Sequence, residues 1–166
     1  MSSKAKNTAN GPELYTGDEK HHNDRIAVVV SKWHGAITEK LYESAKETLN
    51  RYGVERLVKL YVPGAFELPL AARSLASSKR FDAIICIGCI IKGETRHNDY
   101  ISQAIVNGIM NVSLKRKLPI ILGVLTTENE TQALDRSGGK YGNKGAEFAV
   151  AALEMIDLMK ATKPTR

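Results

Sequence analysis

Apolar residues along this chain fall into two kinds of segment that alternate from Arg25 onward. Segments rich in apolar residues, as in strands buried in a sheet, occupy residues 26–30, 57–62, 83–91 and 120–125, and residues 26–30 form a continuous apolar run. Elsewhere apolar residues recur every three or four positions, which predicts amphipathic helices over 36–52, 66–78, 97–116 and 144–160. Strands and helices that alternate at about 30-residue spacing imply parallel strands with right-handed crossovers. We therefore predict the α/β fold class, as a three-layer αβα sandwich with a four-stranded parallel sheet.

The first 24 residues lack this pattern. They are polar and aperiodic, which predicts a mobile N-terminal tail over 1–24 and a single α/β domain over 25–166. His21 and His22 could bind a metal ion, but a solvated pair within a tail is the simpler interpretation. Near the other end, Thr127–Glu130 has the pattern T-x-x-E, which predicts a capping box before a short helix.

The composition agrees with one globular domain, since the 166 residues are 43% apolar and 25% charged. No apolar run approaches the roughly 20 residues of a membrane span, and the N-terminus has no apolar core of a secretory signal. We therefore expect a cytoplasmic protein without a membrane partner. Cys86 and Cys89 have C-x-x-C spacing but no second pair that would complete a zinc site. We expect them to be buried free thiols, with no bound metal.

The net charge of +6 favours an anionic partner. The positive residues are scattered except at 115–117, where cations at the end of a helical pattern complement the helix dipole. Only 6% of the residues are aromatic and none are interleaved with the basic ones, so an anionic small molecule is a better interpretation than nucleic acid. The phosphate-loop and dinucleotide motifs are absent. The first and third strands end without the acidic residues that a phosphorylated receiver domain needs.

Polar and turn-forming residues follow each predicted strand, where ligands bind in an open parallel sheet. They include the single tryptophan and both histidines outside the tail. The four segments are 31–34, 63–67, 92–99 and 126–129. This concentration of polar side chains predicts a small-molecule site at one edge of the sheet.

The segment after the third strand has the residues of an anion site beside a proton-transfer group. Gly93 permits close backbone approach, Thr95 supplies a hydroxyl, and Arg96 adds positive charge. The next helix begins near His97, and free N–H groups at a helix N-terminus bind phosphate. An imidazole there can transfer protons near neutral pH. The alternative is an ordinary strand-to-helix turn with Thr95 as the N-cap and a structural histidine.

Three further residues have a functional and a structural interpretation. Trp33 either covers a flat ring or packs at the sheet edge. Glu67 either accepts hydrogen bonds from ligand hydroxyls or complements a helix dipole. Arg136, before the glycine-rich stretch Gly138–Gly145, either pairs with phosphate or is a surface cation, and we expect that stretch to be a flexible loop.

Four motifs in succession resemble those of the lumazine synthases, which catalyse the penultimate step of riboflavin biosynthesis. They are Pro63–Pro69, Gly88–Tyr100, Gly123–Asn129 and Gly142–Gly145. The resemblance covers roughly residues 25–160 and implies a flavodoxin-like fold. It also implies a cofactor-free transferase that condenses 5-amino-6-(D-ribitylamino)uracil with 3,4-dihydroxy-2-butanone 4-phosphate. The product is 6,7-dimethyl-8-ribityllumazine, and phosphate and water are released.

The resemblance also implies roles for individual residues. His97 transfers protons, and Trp33 stacks on the pyrimidine. The other residues that contact the pyrimidine and the ribityl chain are Ala65, Phe66, Glu67, Cys89, Ile90, Ile91 and Leu122. The residues that bind the phosphate are Glu94, Thr95 and Arg136, and Arg136 comes from a neighbouring subunit. The family forms pentamers with sites between subunits, and the short Gly138–Gly145 connection resembles members that assemble a 60-subunit shell.

Three residues depart from the usual family pattern. His34 stands where bacterial members usually have Asn, Leu122 where an aromatic residue is often found, and Glu94 where the phosphate loop has Ala. A Glu94 side chain that points inward lowers phosphate affinity, and Leu122 predicts weaker binding of flavin-type ligands. These departures leave a second function class open: a module or shell that binds a flavin or lumazine without turnover. Nucleic-acid binding is a third, less favoured class.

Overall fold

The computed structural model describes residues 21–162. The larger elements follow one another as β1 (Arg25–Ser31), α1 (Gly35–Arg51), β2 (Arg56–Val62), α2 (Leu68–Ser77), β3 (Ala83–Ile91), α3 (His97–Arg116) and β4 (Ile120–Thr127). The chain then forms α4 (Glu130–Arg136), the short strands β5 (Ser137–Gly139) and β6 (Gly142–Asn143), and α5 (Lys144–Ala161). A single 3-10 turn, Ala65–Glu67, leads into α2.

The four long strands form one parallel sheet in the order β2-β1-β3-β4. The two central strands explain the continuous apolar runs, because β1 is buried from its second residue onward and β3 over its first seven residues. Both faces of these strands are covered, so neither shows the alternation of a half-exposed strand. The edge strand β2 instead alternates exposed and partly buried positions over most of its length.

Two apolar layers cover the sheet, one on each face. The first contains Val28 and Ile85 with Leu41 of α1 and Leu153 of α5. The second contains residues such as Val29 and Ile84 of the sheet, Leu68 of α2 and Ile105 of α3. The predicted fold class is confirmed: the chain is an α/β, three-layer sandwich with a four-stranded parallel sheet, consistent with a flavodoxin-like fold.

The segment just before β1 corrects one prediction. His21 is fully buried, and its Nδ1 atom lies 2.6 Å from Oδ2 of Asp24, which also accepts a hydrogen bond from Lys160 of α5 at 2.9 Å. The interpretation of His21 and His22 as a solvated pair is therefore wrong for His21. The other residues of the predicted tail, 1–20, lie outside the described residues.

Two local predictions near the end of the chain also need correction. The N-cap of α4 is Asn129, whose side chain accepts from the backbone N–H of Gln132, whereas the Thr127 hydroxyl donates to the carbonyl of Asn129. Gln132 reaches back to the N–H of Glu128, so the capping contacts begin two residues later than predicted. The stretch expected to be a flexible loop contains the antiparallel pair β5–β6.

Candidate functional site

A cavity of about 350 Å³ lies where β1, β2 and β3 end, at the carboxyl edge of the sheet. This is the edge at which open parallel sheets bind ligands. Residues from three strand-to-helix connections and from the first turns of α3 line it. They are Trp33, His34, Pro63, Gly64, Ala65, Phe66, Glu67, Cys89, Ile90, Ile91, Gly93, Thr95, His97, Asn98 and Ile101.

Backbone hydrogen bonds hold the loop after β1 at the mouth of the cavity. The N–H of Lys32 donates to Val62 at 2.9 Å and the N–H of Trp33 donates to Pro63 at 3.3 Å. The indole of Trp33 remains 72% exposed above the cavity. An exposed ring on a tethered loop presents a flat apolar face to a ligand, and little conformational entropy is lost when the ligand binds.

His34 takes the left-handed conformation, with φ at 57°, and forms the N-cap of α1. Its carbonyl accepts from the N–H groups of Ile37 and Thr38 at 2.8 and 3.0 Å. Asn and His are both enriched among residues that adopt this conformation. A histidine at the position where asparagine is expected therefore preserves the turn that aims the Trp33 side chain.

The 3-10 turn after β2 supplies the opposite wall. A Glu67 carboxylate oxygen accepts from the backbone N–H of Gly64 at 2.9 Å. This bond fixes the carboxylate at the start of a helical turn, where a negative charge is stabilised by the free N–H groups. The structural interpretation of Glu67 thus holds for one oxygen, and the residue still lines the cavity.

The end of β3 and the start of α3 form the floor. Cys89, Ile90 and Ile91 are the last three residues of β3. His97 is the first residue of α3, as predicted. A Cβ atom built on Gly93 would meet no atom within 4 Å, so a ligand can approach the backbone there. The N-cap of α3 is Arg96, without a side-chain cap, so the alternative with Thr95 as N-cap is wrong.

The two thiols are buried in the strand that carries the floor. Burial raises the pKa of Cys86 to about 12 and, together with the nearby Glu130 carboxylate, that of Cys89 to about 11. Both side chains are therefore protonated at neutral pH and behave as small apolar groups. The predicted buried free thiols are confirmed.

Carboxylates oppose the cations that follow β3. Lys92 donates to Glu128 at 2.7 Å, a bond that raises the pKa of Lys92 and ties the ends of β3 and β4 together. The Arg96 guanidinium lies 3.7 Å from the carboxylate of Asp99. Both cations line a neighbouring cavity of about 370 Å³ rather than the first one. The positive charge expected from Arg96 is thus partly balanced by Asp99 and lies at the neighbouring cavity rather than at the first one.

Comparison with known proteins now adds to the geometry. Residues 23–160 match the sequence model of 6,7-dimethyl-8-ribityllumazine synthase. A relative from Cytophaga hutchinsonii named 6,7-dimethyl-8-ribityllumazine synthase is 48% identical over 159 residues, which are 94% of this chain and 98% of the relative. The chain belongs to the 6,7-dimethyl-8-ribityllumazine synthase family. The predicted family and enzyme class, a transferase, are confirmed.

Nine of the twelve residues that the resemblance to lumazine synthases selected line the first cavity. The other three, Glu94, Leu122 and Arg136, do not. Leu122 pairs with Cys86 in the sheet, three positions before the cavity-lining Cys89 and about 10 Å lower along the strand. Arg136 ends α4, where its guanidinium donates to the carbonyl of Gln132 at 3.0 Å. One chain therefore assembles most of the site selected from the family, but not its arginine.

The cavity also includes residues that the sequence reasoning did not select as site residues. Asn98 and Ile101 lie one and four positions beyond His97. Helical spacing places residues one turn apart on the same face, so His97 itself was the signal that could have found Ile101. His34, Pro63, Gly64 and Asn98 lie within strand-end segments that the sequence indicated as a whole, and Gly93 was named there as a residue of the anion site.

In the part of the chain between residues 21 and 162, none of the helices has the length and apolar character needed to cross a membrane.

Proposed function

We propose that this chain condenses 5-amino-6-(D-ribitylamino)uracil with 3,4-dihydroxy-2-butanone 4-phosphate to give 6,7-dimethyl-8-ribityllumazine, and that it does so in the cytoplasm. The supporting observation is the cavity at the carboxyl edge of the sheet. It combines one flat aromatic ring, one fixed carboxylate and one imidazole at a helix N-terminus, supplied by Trp33, Glu67 and His97. The shared family and a relative of that name support the same reaction.

The cavity suits the bicyclic product and its hydroxylated chain. Trp33 stacks on the pyrimidine, and the backbone groups of 89–91 face its polar edge. The Glu67 oxygen that is not bonded to Gly64 accepts from ribityl hydroxyls. Because one oxygen is already fixed by the backbone, the carboxylate loses little freedom when a ligand binds.

The reaction needs several proton transfers, and His97 is placed to make them. The uracil amine attacks the ketone carbon to form a carbinolamine, which loses water to give an imine. Phosphate then leaves, and ring closure follows with loss of water. A well-placed general acid–base contributes roughly 10²–10⁴-fold in rate. Holding the two substrates together supplies a further share of the acceleration.

The phosphate binds at the segment before α3. Gly93 leaves space for close approach, and the first N–H groups of α3 point toward the same segment. Thr95 lines the cavity and adds a hydroxyl. Glu94 is exposed and lies outside the cavity lining. This supports an orientation in which its carboxylate points away from the phosphate and does not lower phosphate affinity.

A neighbouring copy of the chain completes each site by supplying Leu122 and Arg136. Neither residue lines the cavity of its own chain, yet both stand at positions that the family pattern assigns to the site, although Leu122 replaces the usual aromatic residue. An assembly is further supported by exposed apolar side chains on α3, since Val106, Met110 and Leu114 recur every four residues along one face. We propose a pentamer, and a 60-subunit shell built from such pentamers.

The first experiment mixes purified protein with the two substrates and follows the fluorescent lumazine product. Product formed in proportion to protein and lost in His97→Asn, which still binds the ribitylaminouracil, supports the enzyme. No product together with retained binding of the ribitylaminouracil contradicts it and favours a binding module instead.

A second experiment tests whether sites are shared between chains. His97→Asn and Arg136→Gln are made separately and then coexpressed with different tags, so that mixed assemblies can be isolated. A mixed assembly contains some sites with both wild-type residues only if they come from different chains. Recovery of activity above either single variant supports the shared site. No recovery in confirmed mixed assemblies contradicts it.

A further inference from the structure

Tyr141 occupies the turn between β5 and β6 and faces the arginine at the end of α4. The Cζ atom of Arg136 lies 5.2 Å from the centroid of the Tyr141 ring. This separation is within the roughly 6 Å over which a cation and an aromatic face attract each other. Arg136 also donates through Nη1 to the carbonyl of Gln132 at 3.0 Å. Two contacts, one to the Tyr141 ring and one to the carbonyl of Gln132, thus hold the guanidinium.

Close contacts fix the backbone of the hairpin that carries Tyr141 relative to the end of α4. The N–H of Tyr141 donates to the carbonyl of Asp135, the residue next to Arg136, at 2.9 Å. Gly139 packs so closely that a Cβ atom there would lie 2.8 Å from Cα of Asp135. Asn143 anchors the same hairpin to α1 by donating to the carbonyl of Lys40 at 3.0 Å. The backbone position from which the Tyr141 ring projects toward Arg136 therefore follows from the fold.

We propose that Tyr141 is a positioning residue for Arg136 and thereby sets the affinity for the phosphate-bearing substrate. This inference rests on the proposed phosphate role of Arg136. A cation–π contact takes up none of the guanidinium N–H groups, so those that do not donate to Gln132 stay available to pair with phosphate oxygens. Removing the ring restores the rotational freedom of the arginine, which must then be lost again when phosphate binds.

A second cation shares the ring. The Lys140 ammonium lies 5.3 Å from the Tyr141 centroid, so the hairpin gathers positive charge beside Arg136. Only Arg136 has a planar group with several donors in a fixed arrangement. Tyr141 consequently matters for the orientation of the arginine more than for the total charge.

The test compares Tyr141→Leu and Tyr141→Met with Tyr141→Phe, in the full chain and also in an Arg136→Gln background. Both non-aromatic variants are expected to raise the KM for the phosphate substrate about two- to fivefold, with kcat and the KM for the uracil substrate unchanged. Tyr141→Phe keeps the ring and is expected to retain the original KM. In the Arg136→Gln background, the loss of the ring should have no further effect.

The inference is overturned if the Phe and Leu variants behave alike, if the KM values for both substrates change together, or if the effect persists without Arg136. Calorimetry of inorganic phosphate binding distinguishes failure of the positioning role of Tyr141 from failure of the proposed reaction. If the protein has no turnover but phosphate binds more weakly to Tyr141→Leu and not to Tyr141→Phe, the positioning role stands. If Arg136→Gln leaves phosphate binding unchanged, the phosphate role of Arg136 and the positioning role of Tyr141 are both wrong.

Discussion

His34 illustrates at the residue scale how a departure from a family pattern can leave the geometry intact. Its left-handed backbone ends the loop that carries Trp33 and starts α1, and the turn depends on φ rather than on the side chain. His34 nevertheless lines the cavity, where it presents an imidazole ring in place of an amide. A single substitution can therefore conserve the fold and alter the chemistry at the mouth of the site.

The buried cysteines give a prediction about pH. Burial holds the pKa of Cys89 at about 11 and that of Cys86 at about 12, both above the ordinary value of 9.0. The protonated thiols therefore stabilise the fold fully below about pH 9, and this contribution is lost as pH rises through 11 and 12. At pH 8 we expect both thiols to react with a disulfide reagent far more slowly than in urea-unfolded protein.

The two thiols differ in access, which provides the control. Cys89 lines the cavity whereas Cys86 does not, so Cys89 should react first as pH is raised. Labelling rates of Cys86→Ala and Cys89→Ala assign each signal. Rapid labelling of Cys86 at pH 8 in folded protein would contradict the prediction.

At the element scale, burial on both faces made β1 and β3 readable from sequence, and the two boundaries predicted for α3 agree with the structure. The failures have local causes. Asn129 and Thr127 are both good capping residues, and only the hydrogen bond to Gln132 decides between them. Strands of two or three residues such as β5 and β6 have too few positions to show any periodicity.

Gly145 controls how closely α1 and α5 approach. A Cβ atom at this buried position would overlap the carbonyl oxygen of Leu41 in α1, and a backbone atom in a helix cannot turn aside. Gly145→Ala should therefore lower the free energy of unfolding by about 3 kcal/mol or more, measured by urea denaturation. Gly35→Ala is the matched control, because no atom lies within 4 Å of its Cβ, and it should change stability by less than about 1 kcal/mol. Equal effects would show that the contact between the helices can relax.

The contact between the segment before β1 and α5 gives a second prediction at this scale. Asp24 is buried and accepts hydrogen bonds from His21 and Lys160. Asp24→Asn keeps the shape but loses the charge, so the free energy of unfolding should fall by about 1.5–3 kcal/mol. Glu55→Gln, which weakens the exposed pair with His22, should change it by less than about 1 kcal/mol. Similar values for both variants would mean that burial of Asp24 does not strengthen its bonds.

For the molecule as a whole, most of the site followed from sequence because the rule for parallel sheets needs only the order of elements. Every segment after β1, β2 and β3 contributes to the cavity. The rule says nothing about Leu122, which lies in the middle of an edge strand, or about Arg136, which lies beyond the last long strand. Leu122 was selected only from the family resemblance, whereas Arg136 was also a candidate from its place before a glycine-rich stretch. The resemblance alone assigned Arg136 to a neighbouring subunit, because the topology of one chain does not predict contacts between copies.

The exposed face of α3 links assembly to activity and makes the last prediction. Val106, Met110 and Leu114 lie on this face, where an acidic group would be buried without a partner in an assembly. Met110→Glu should reduce both the sedimenting mass and the activity, because a shared site cannot form in a dissociated chain. Leu158→Glu makes a similar apolar-to-acidic change at an exposed position on α5, in the other layer, and should preserve both. Full activity in a dissociated Met110→Glu protein would mean that one chain holds a complete site, and the proposed roles of Leu122 and Arg136 from a neighbour would then be wrong.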